Sequence, residues 1–134
     1  MAIQLSVAVR NARVEAIETV IGTAPVLRIR TGAQPANCAA SRTGTVLATL
    51  TLPSDWLDDP SSGSKAILGT WEDTSADASG DAGHFEIMDS GVSTCHMQGS
   101  CGDVGTEDLV VDNASFAMGQ AFTITAFTLT DGNA

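Results

Sequence analysis

The amino-acid sequence predicts an all-β protein, a β-sandwich of jelly-roll-like form with one short N-terminal helix. Three observations lead there. Short runs in which apolar and polar residues alternate recur from about residue 26 to residue 130. Segments rich in Gly, Ser, Asp and Pro punctuate these runs. A 3.6-residue apolar period is confined to the first 22 positions. Composition agrees: 16% of residues are charged, and Ala, Thr, Ser and Gly dominate the rest, a mix suited to strands and tight turns. The 134 residues suit a single β-rich domain spanning 1–134, with a strand and helix segment at about 1–22.

Each element follows from its own residues. Val9, Ala12 or Arg13, Ala16, Ile17, Val20 and Ile21 recur at helical spacing and predict a helix over about 8–21, begun at Ser6 or Asn11 and ended by Gly22. Ile3, Leu5 and Val7 alternate with polar neighbours, so a short strand is expected to lead into it. In 26–30, Leu27 and Ile29 share one face of a strand and Arg28 and Arg30 the other. Residues 31–43, TGAQPANCAASRT, have turn chemistry and no period, and are expected to form a loop. The stretch 45–52 turns Val46, Ala48, Leu50 and Leu52 inward and is stopped by Pro53, which cannot donate to a ladder. Residues 54–63 form a polar surface segment that contains Trp56, and 65–73 resume strand character. After the loop 74–83, the runs 85–88 and 94–98 flank a Gly-containing turn and predict a hairpin. The last strands are 108–112 and the Thr-rich 120–130. Seven or eight short strands without interleaved helices argue for a sandwich or jelly roll.

Charge narrows the partners. Residues 1–42 carry +3 and residues 43–134 carry −13, for a net charge of −10. Such a chain offers neither nucleic acid nor an anionic membrane the clustered Lys and Arg that phosphate binding requires. The basic N-terminal region could meet an acidic protein. No secretory leader is recognisable, no apolar run approaches the roughly 20 residues that span a bilayer, and three cysteines read as free thiols in a reducing cytoplasm.

Four patterns suggest chemistry, and each has a plainer reading. Cys95, His96 and Cys101, with His84 on the partner strand, offer zinc ligands or a Cys95–Cys101 disulfide, yet the spacing is not that of a zinc knuckle. Alternation along a strand points Cys95 and Met97 one way and His96 the other, so free thiols and an ordinary histidine are expected. Ile87-Met88-Asp89-Ser90-Gly91 matches the aspartic-protease pattern, in which paired carboxylates of a dimer activate water. Asp-Ser-Gly is equally ordinary turn chemistry, and the flanking Val92-Ser93 departs from the protease pattern. Asp73, Asp77, Ser79, Asp81 and the pair Asp58 and Asp59 offer oxygens to calcium, but Ala82 stands where an EF-hand loop needs glycine. Trp56 and Trp71 could stack on a sugar, as in a tail-associated adhesin, although six aromatic residues and no tyrosine make a sparse platform. No catalytic constellation, metal or cofactor is expected.

The segments GTVLATLTLPSDW (44–56), GTWEDTSADASGDAGHFEIMDSG (69–91) and DNASFAMGQAFTITAFTLTDGNA (112–134) resemble a group of small tailed-phage virion proteins. Within that group the sequence is similar to the head cement, or decoration, proteins of short-tailed phages such as those infecting Bordetella. The resemblance implies a jelly-roll-like fold on the outside of a phage head, made in the bacterial host cytoplasm. It also implies a homodimer that braces neighbouring subunits of the major capsid protein. It transfers no site residues. The surfaces expected to touch a partner are the N-terminal region, with Arg10, Arg13, Arg28 and Arg30, and the exposed loop carrying Trp56.

Overall fold

The computed structural model describes residues 3–132. Its single helix, α1 (Val7–Ile21), begins where the Ser6 hydroxyl accepts the Val9 N–H at 3.2 Å and ends at Gly22, whose φ of +91° favours a residue without Cβ. The strand expected over Ile3, Leu5 and Val7 does not form: residues 3–6 are irregular and Val7 already lies in the first helical turn. The Ser6 cap accounts for this, because it starts the helix two residues before Val9.

The apolar stripe read from the sequence is helical, but it splits between two sides of α1: Ile17 and Ile21 pack on the body, while Val9, Ala12, Ala16 and Val20 face outward. Val9 and Val20 are 45% and 71% exposed, and Ala12 and Ala16 lie beside them. Arg10, Val14 and Ile21 are the residues that α1 buries. Arg10 can face inward because its guanidinium donates to the Ser62 carbonyl at 2.9 Å and to the Leu5 carbonyl at 3.4 Å.

The strands are β1 (Val26–Arg30), β2 (Val46–Thr51), β3 (Ser64–Ala66), β4 (Glu72–Asp73), β5 (Gly80–Asp81), β6 (His84–Met88), β7 (Cys95–Gly102), β8 (Leu109–Val111), β9 (Ser115–Phe116) and β10 (Phe122–Thr130). The protein is thus all-β with one helix, as expected. Eight strands form one mixed sheet in the order β2-β1-β6-β7-β8-β10-β3, with β4 also on β10, and β5 pairs with β9. All pairs are antiparallel except β7 with β8.

The sheet curls until its two ends face each other, so one sheet supplies both walls of the core. Phe85 on β6 meets Phe127 on β10 edge to face at 5.6 Å, although β7 and β8 lie between those strands in the sheet. The outer edge of β2 is also covered: the Leu47 carbonyl accepts the Asp77 N–H at 2.7 Å, just beyond β4. Covering that edge removes a template for unwanted strand pairing. Leu27, Ile29, Leu47, Trp56, Ile87 and Leu109 are essentially inaccessible between the walls.

The strands differ from expectation in several places: the described residues hold ten rather than seven or eight, with β5 inside the expected loop 74–83 and β9 unforeseen. The run 65–73 splits into β3 and β4, because Gly69 takes φ +77° between them. Strand β7 continues through Cys101 to Gly102, where a loop was expected. A Cβ at Gly99 would stand 2.7 Å from the Phe85 ring and 2.8 Å from Asp108, so only glycine lets the strand pass there. Among the described residues, no helix is long and apolar enough to cross a membrane.

Candidate functional site

Strand β6 is buried on both faces. Phe85 and Ile87 point into the core, whereas His84 and Glu86 belong to the opposite face, which in a half-solvated sheet would meet water. The segment 31–44 covers it. Its Gly32 carbonyl bonds His84 Nδ1 at 2.9 Å, and its Pro35 carbonyl accepts from Gln98 Nε2 at 2.8 Å. With a proton on Nδ1 the ring donates to that carbonyl, while its Nε2 is buried without a partner.

Glu86 is the centre of this cover. Its carboxylate is fully buried, with Arg30 Nε at 2.6 Å and Arg42 Nη1 at 3.4 Å. The register places Arg28 opposite Glu86 and Arg30 opposite His84 across the β1–β6 pair, so the arginine side of β1 supplies one of the two guanidinia. Arg42 supplies the other from the covering segment. It also donates to Gln98 Oε1 at 3.0 Å, to Cys95 Sγ at 3.3 Å, and to the carbonyls of Asn37 and Ala40, each at 2.9 Å. One side chain therefore gathers the loop and pins it to β6 and β7.

A second polar clamp holds α1. Lys65 on β3 is 2% exposed, and its ammonium contacts Glu15 at 2.5 Å and also Glu18. Burial opposes the lysine's charge, but hydrogen bonds and attraction from Glu15 and Glu18 outweigh it and hold its pKa above the ordinary value. Trp56 Nε1 donates to the Gly22 carbonyl at 3.1 Å and anchors the end of the helix. With its inner side held, α1 presents Val9, Ala12, Ala16 and Val20 to solvent, continued by exposed Ile3 and Val7.

The predicted contact residues separate accordingly. Trp56, expected on an exposed loop, is fully buried, because its ring packs against Trp71 at 6.0 Å and its indole N–H is used by the helix end. Arg10 is buried and Arg30 is engaged with Glu86, so neither guanidinium is available to a partner. Arg28 is partly covered, its Nε buried without a partner. Arg13 stays 53% exposed, 3.4 Å from Asp131. Trp71 packs on Phe127 at 5.5 Å and is also buried, so neither indole offers a face to a sugar.

The other patterns resolve into local structure. A bulge in the β6–β7 pairing matches Ile87 to Met97 but Met88 to Cys95. The inserted residue breaks simple alternation, so Cys95 meets Arg42 while Met97 packs against the core, and the two do not share a side as expected. Asp89 accepts the N–H groups of Ser93 and Thr94 at 2.7 and 2.9 Å and the Ser93 hydroxyl at 2.6 Å. The Ser93 hydroxyl, then the Thr94 and Ser93 amides, lower its pKa to about 2. That is a turn carboxylate saturated by its own loop. Asp73 and Asp77 brace β2, with Thr49 N–H donating to Asp73 at 3.4 Å and Thr49 Oγ1 to Asp77 at 2.8 Å. Among the described residues, no three His, Cys, Asp or Glu side chains come together as metal ligands.

Sequence reasoning missed Arg42, Glu86 and Cys38 as members of one cluster. The only signal was the alternation of His84 and Glu86 with Phe85 and Ile87, which marks a polar face without telling what covers it. No protein-family model matches the chain, and no curated protein and no solved structure is significantly similar to it.

Proposed function

We propose that this protein is a structural virion component, a cement or decoration protein that binds the outside of a phage head and braces neighbouring major capsid subunits. It acts without catalysis or cofactor, as a homodimer, after synthesis in the host cytoplasm. The sequence resemblance suggests the role, and one structural observation supports it: the apolar outer stripe of α1. Helices that pack on a body through one side and meet water on the other carry apolar residues on one side only. Here Val14, Ile17 and Ile21 serve the body, and Val9, Ala12, Ala16 and Val20, with Ile3 and Val7, remain for a partner. Exposed apolar residues gathered on one element mark an interaction surface more often than scattered ones do.

The polar contacts on the inner side of α1 support the same reading, because a bracing protein must carry load through a fixed interface. Lys65 with Glu15 and Glu18, and Arg10 with Ser62, prevent α1 from swinging when its outer stripe is engaged. The test is addition of purified protein to capsids that lack it. Stoichiometric binding that raises resistance to heat is expected, and Val20→Asp should abolish binding while the circular dichroism spectrum stays unchanged. Protein that never sediments with capsids, or that occurs in only a few copies per particle by mass spectrometry, would overturn the reading.

A further inference from the structure

Three cysteines are present, and the fold treats them differently. Cys101 is buried in β7, where burial first and Glu107 second push its thiol up to about 12. Cys38 and Cys95 are both partly accessible and come from distant parts of the sequence. They line one groove of about 300 Å³ between the covering segment and the start of β7, with Ser41, Met88 and Thr94. Arg42 spans the pair: it donates to the Cys95 sulfur at 3.3 Å through Nη1 and to the Cys38 carbonyl at 3.3 Å through Nη2. The Cys38 thiol is also one of the groups that raise the Cys95 pKa.

We propose that Cys38 and Cys95 are a dithiol site that a small disulfide oxidant of the glutathione type closes into a disulfide, locking segment 31–44 onto the hairpin β6–β7. The balance is complete. A thiolate of the pair attacks the oxidant, displaces one glutathione thiolate and leaves a mixed disulfide on the protein. The second thiolate attacks that protein sulfur and displaces the other glutathione. The protein loses two electrons and two protons, and one glutathione disulfide becomes two glutathione thiols. The inference is independent of the virion role, since it concerns how the covering segment is held.

Geometry and acid–base chemistry set opposing rates. The shared groove and the shared arginine favour closure over a persistent mixed disulfide. Burial, followed by the Cys38 thiol, raises Cys95 to about 11, against the smaller pull of Arg42, so closure is slow at neutral pH and accelerates in base. Trypsin sites at Arg30, Arg42 and Lys65 make the product readable, because residues 31–42 contain Cys38 alone and residues 66–134 contain Cys95 and Cys101.

The experiment incubates native protein with glutathione disulfide, blocks residual thiols and maps the digest by mass spectrometry. A loss of about 2 Da, with fragment 31–42 joined to 66–134, is expected, and closure should quicken roughly tenfold per pH unit between pH 7 and 9. The link should persist in Cys101→Ser and vanish in Cys95→Ser. In the closed form, trypsin should cut after Arg42 more slowly and the urea midpoint should rise, because the crosslink joins distant residues. Links through Cys101, lasting glutathione adducts on Cys38 or Cys95, or closure only after denaturation would each overturn the proposal.

Discussion

The two segments laid over the sheet, α1 and the loop 31–44, are held by polar clamps of opposite sign. Under α1 a buried cation on β3, Lys65, meets two carboxylates from the helix. Under the loop a buried anion on β6, Glu86, meets a guanidinium from the neighbouring strand and another from the loop. In each case a strand supplies the single buried charge and the covering segment brings an opposite one. The difference lies in exposure. The Glu15 side chain is 46% exposed, so the helix clamp is partly hydrated, whereas both arginines around Glu86 are largely enclosed. A buried ion pair adds little net stability over an apolar replacement, but removing one partner strands the other charge. The clamps therefore specify where each cover lies more than they stabilise the fold.

That contrast can be broken most sharply at Glu86. Glu86→Gln leaves two enclosed guanidinia without a counter-charge and should cost about 3–5 kcal/mol in urea denaturation. Trypsin cleavage after Arg42 should become faster as the loop frees. Lys65→Met should cost less, about 1–3 kcal/mol, because Glu15 can turn to water and the methionine fills much of the lysine's volume. A larger loss at Lys65 than at Glu86 would show that exposure does not rank the two clamps.

The same clamp sets an alkaline limit. The folded pKa of Lys65 lies above its unfolded value, so the folded state binds the proton more tightly. Its contribution is complete below the ordinary lysine pKa and is lost as pH rises through the folded value. Stability should begin to fall as pH passes the ordinary lysine value of 10.5, and Lys65→Met should flatten that decline. Asp89 behaves in the opposite sense: its pKa is lowered to about 2, so its contribution is present above its ordinary value of 3.8 and fades as pH falls through 2. Asp89→Asn should remove that acid-side slope. The smallest stability effect belongs to the outer stripe of α1. Val20→Ser should change stability by no more than about 0.5 kcal/mol, while weakening capsid binding if this face is the interface.

Much of this architecture was legible because its causes are local. Leu27 and Ile29 alternate with Arg28 and Arg30, and β1 follows that pattern over its whole length. Gly22 ends α1 and Pro53 follows shortly after β2, since both effects act within a few residues of backbone. The helix face was less legible. A periodic stripe states which residues share a side, but Arg10 and Glu18 join the inner side only because Ser62 and Lys65, far along the chain, receive them. The cluster at Glu86 was less legible still: nothing in TGAQPANCAASRT says which strand it will cover.

By itself, then, the sequence determined the all-β class with one N-terminal helix, the hairpin around Asp89 and the ends of several elements, because alternation, capping and turn chemistry act between near neighbours. Only the tertiary structure decided that Trp56 is a core anchor, that Val9, Ala12, Ala16 and Val20 of α1 face outward while Ile17 and Ile21 face the core, and that Cys38 and Cys95 line one groove. Those outcomes depend on which distant groups can satisfy a buried charge or indole N–H, and on a one-residue bulge in β7 that turns Cys95 toward Arg42.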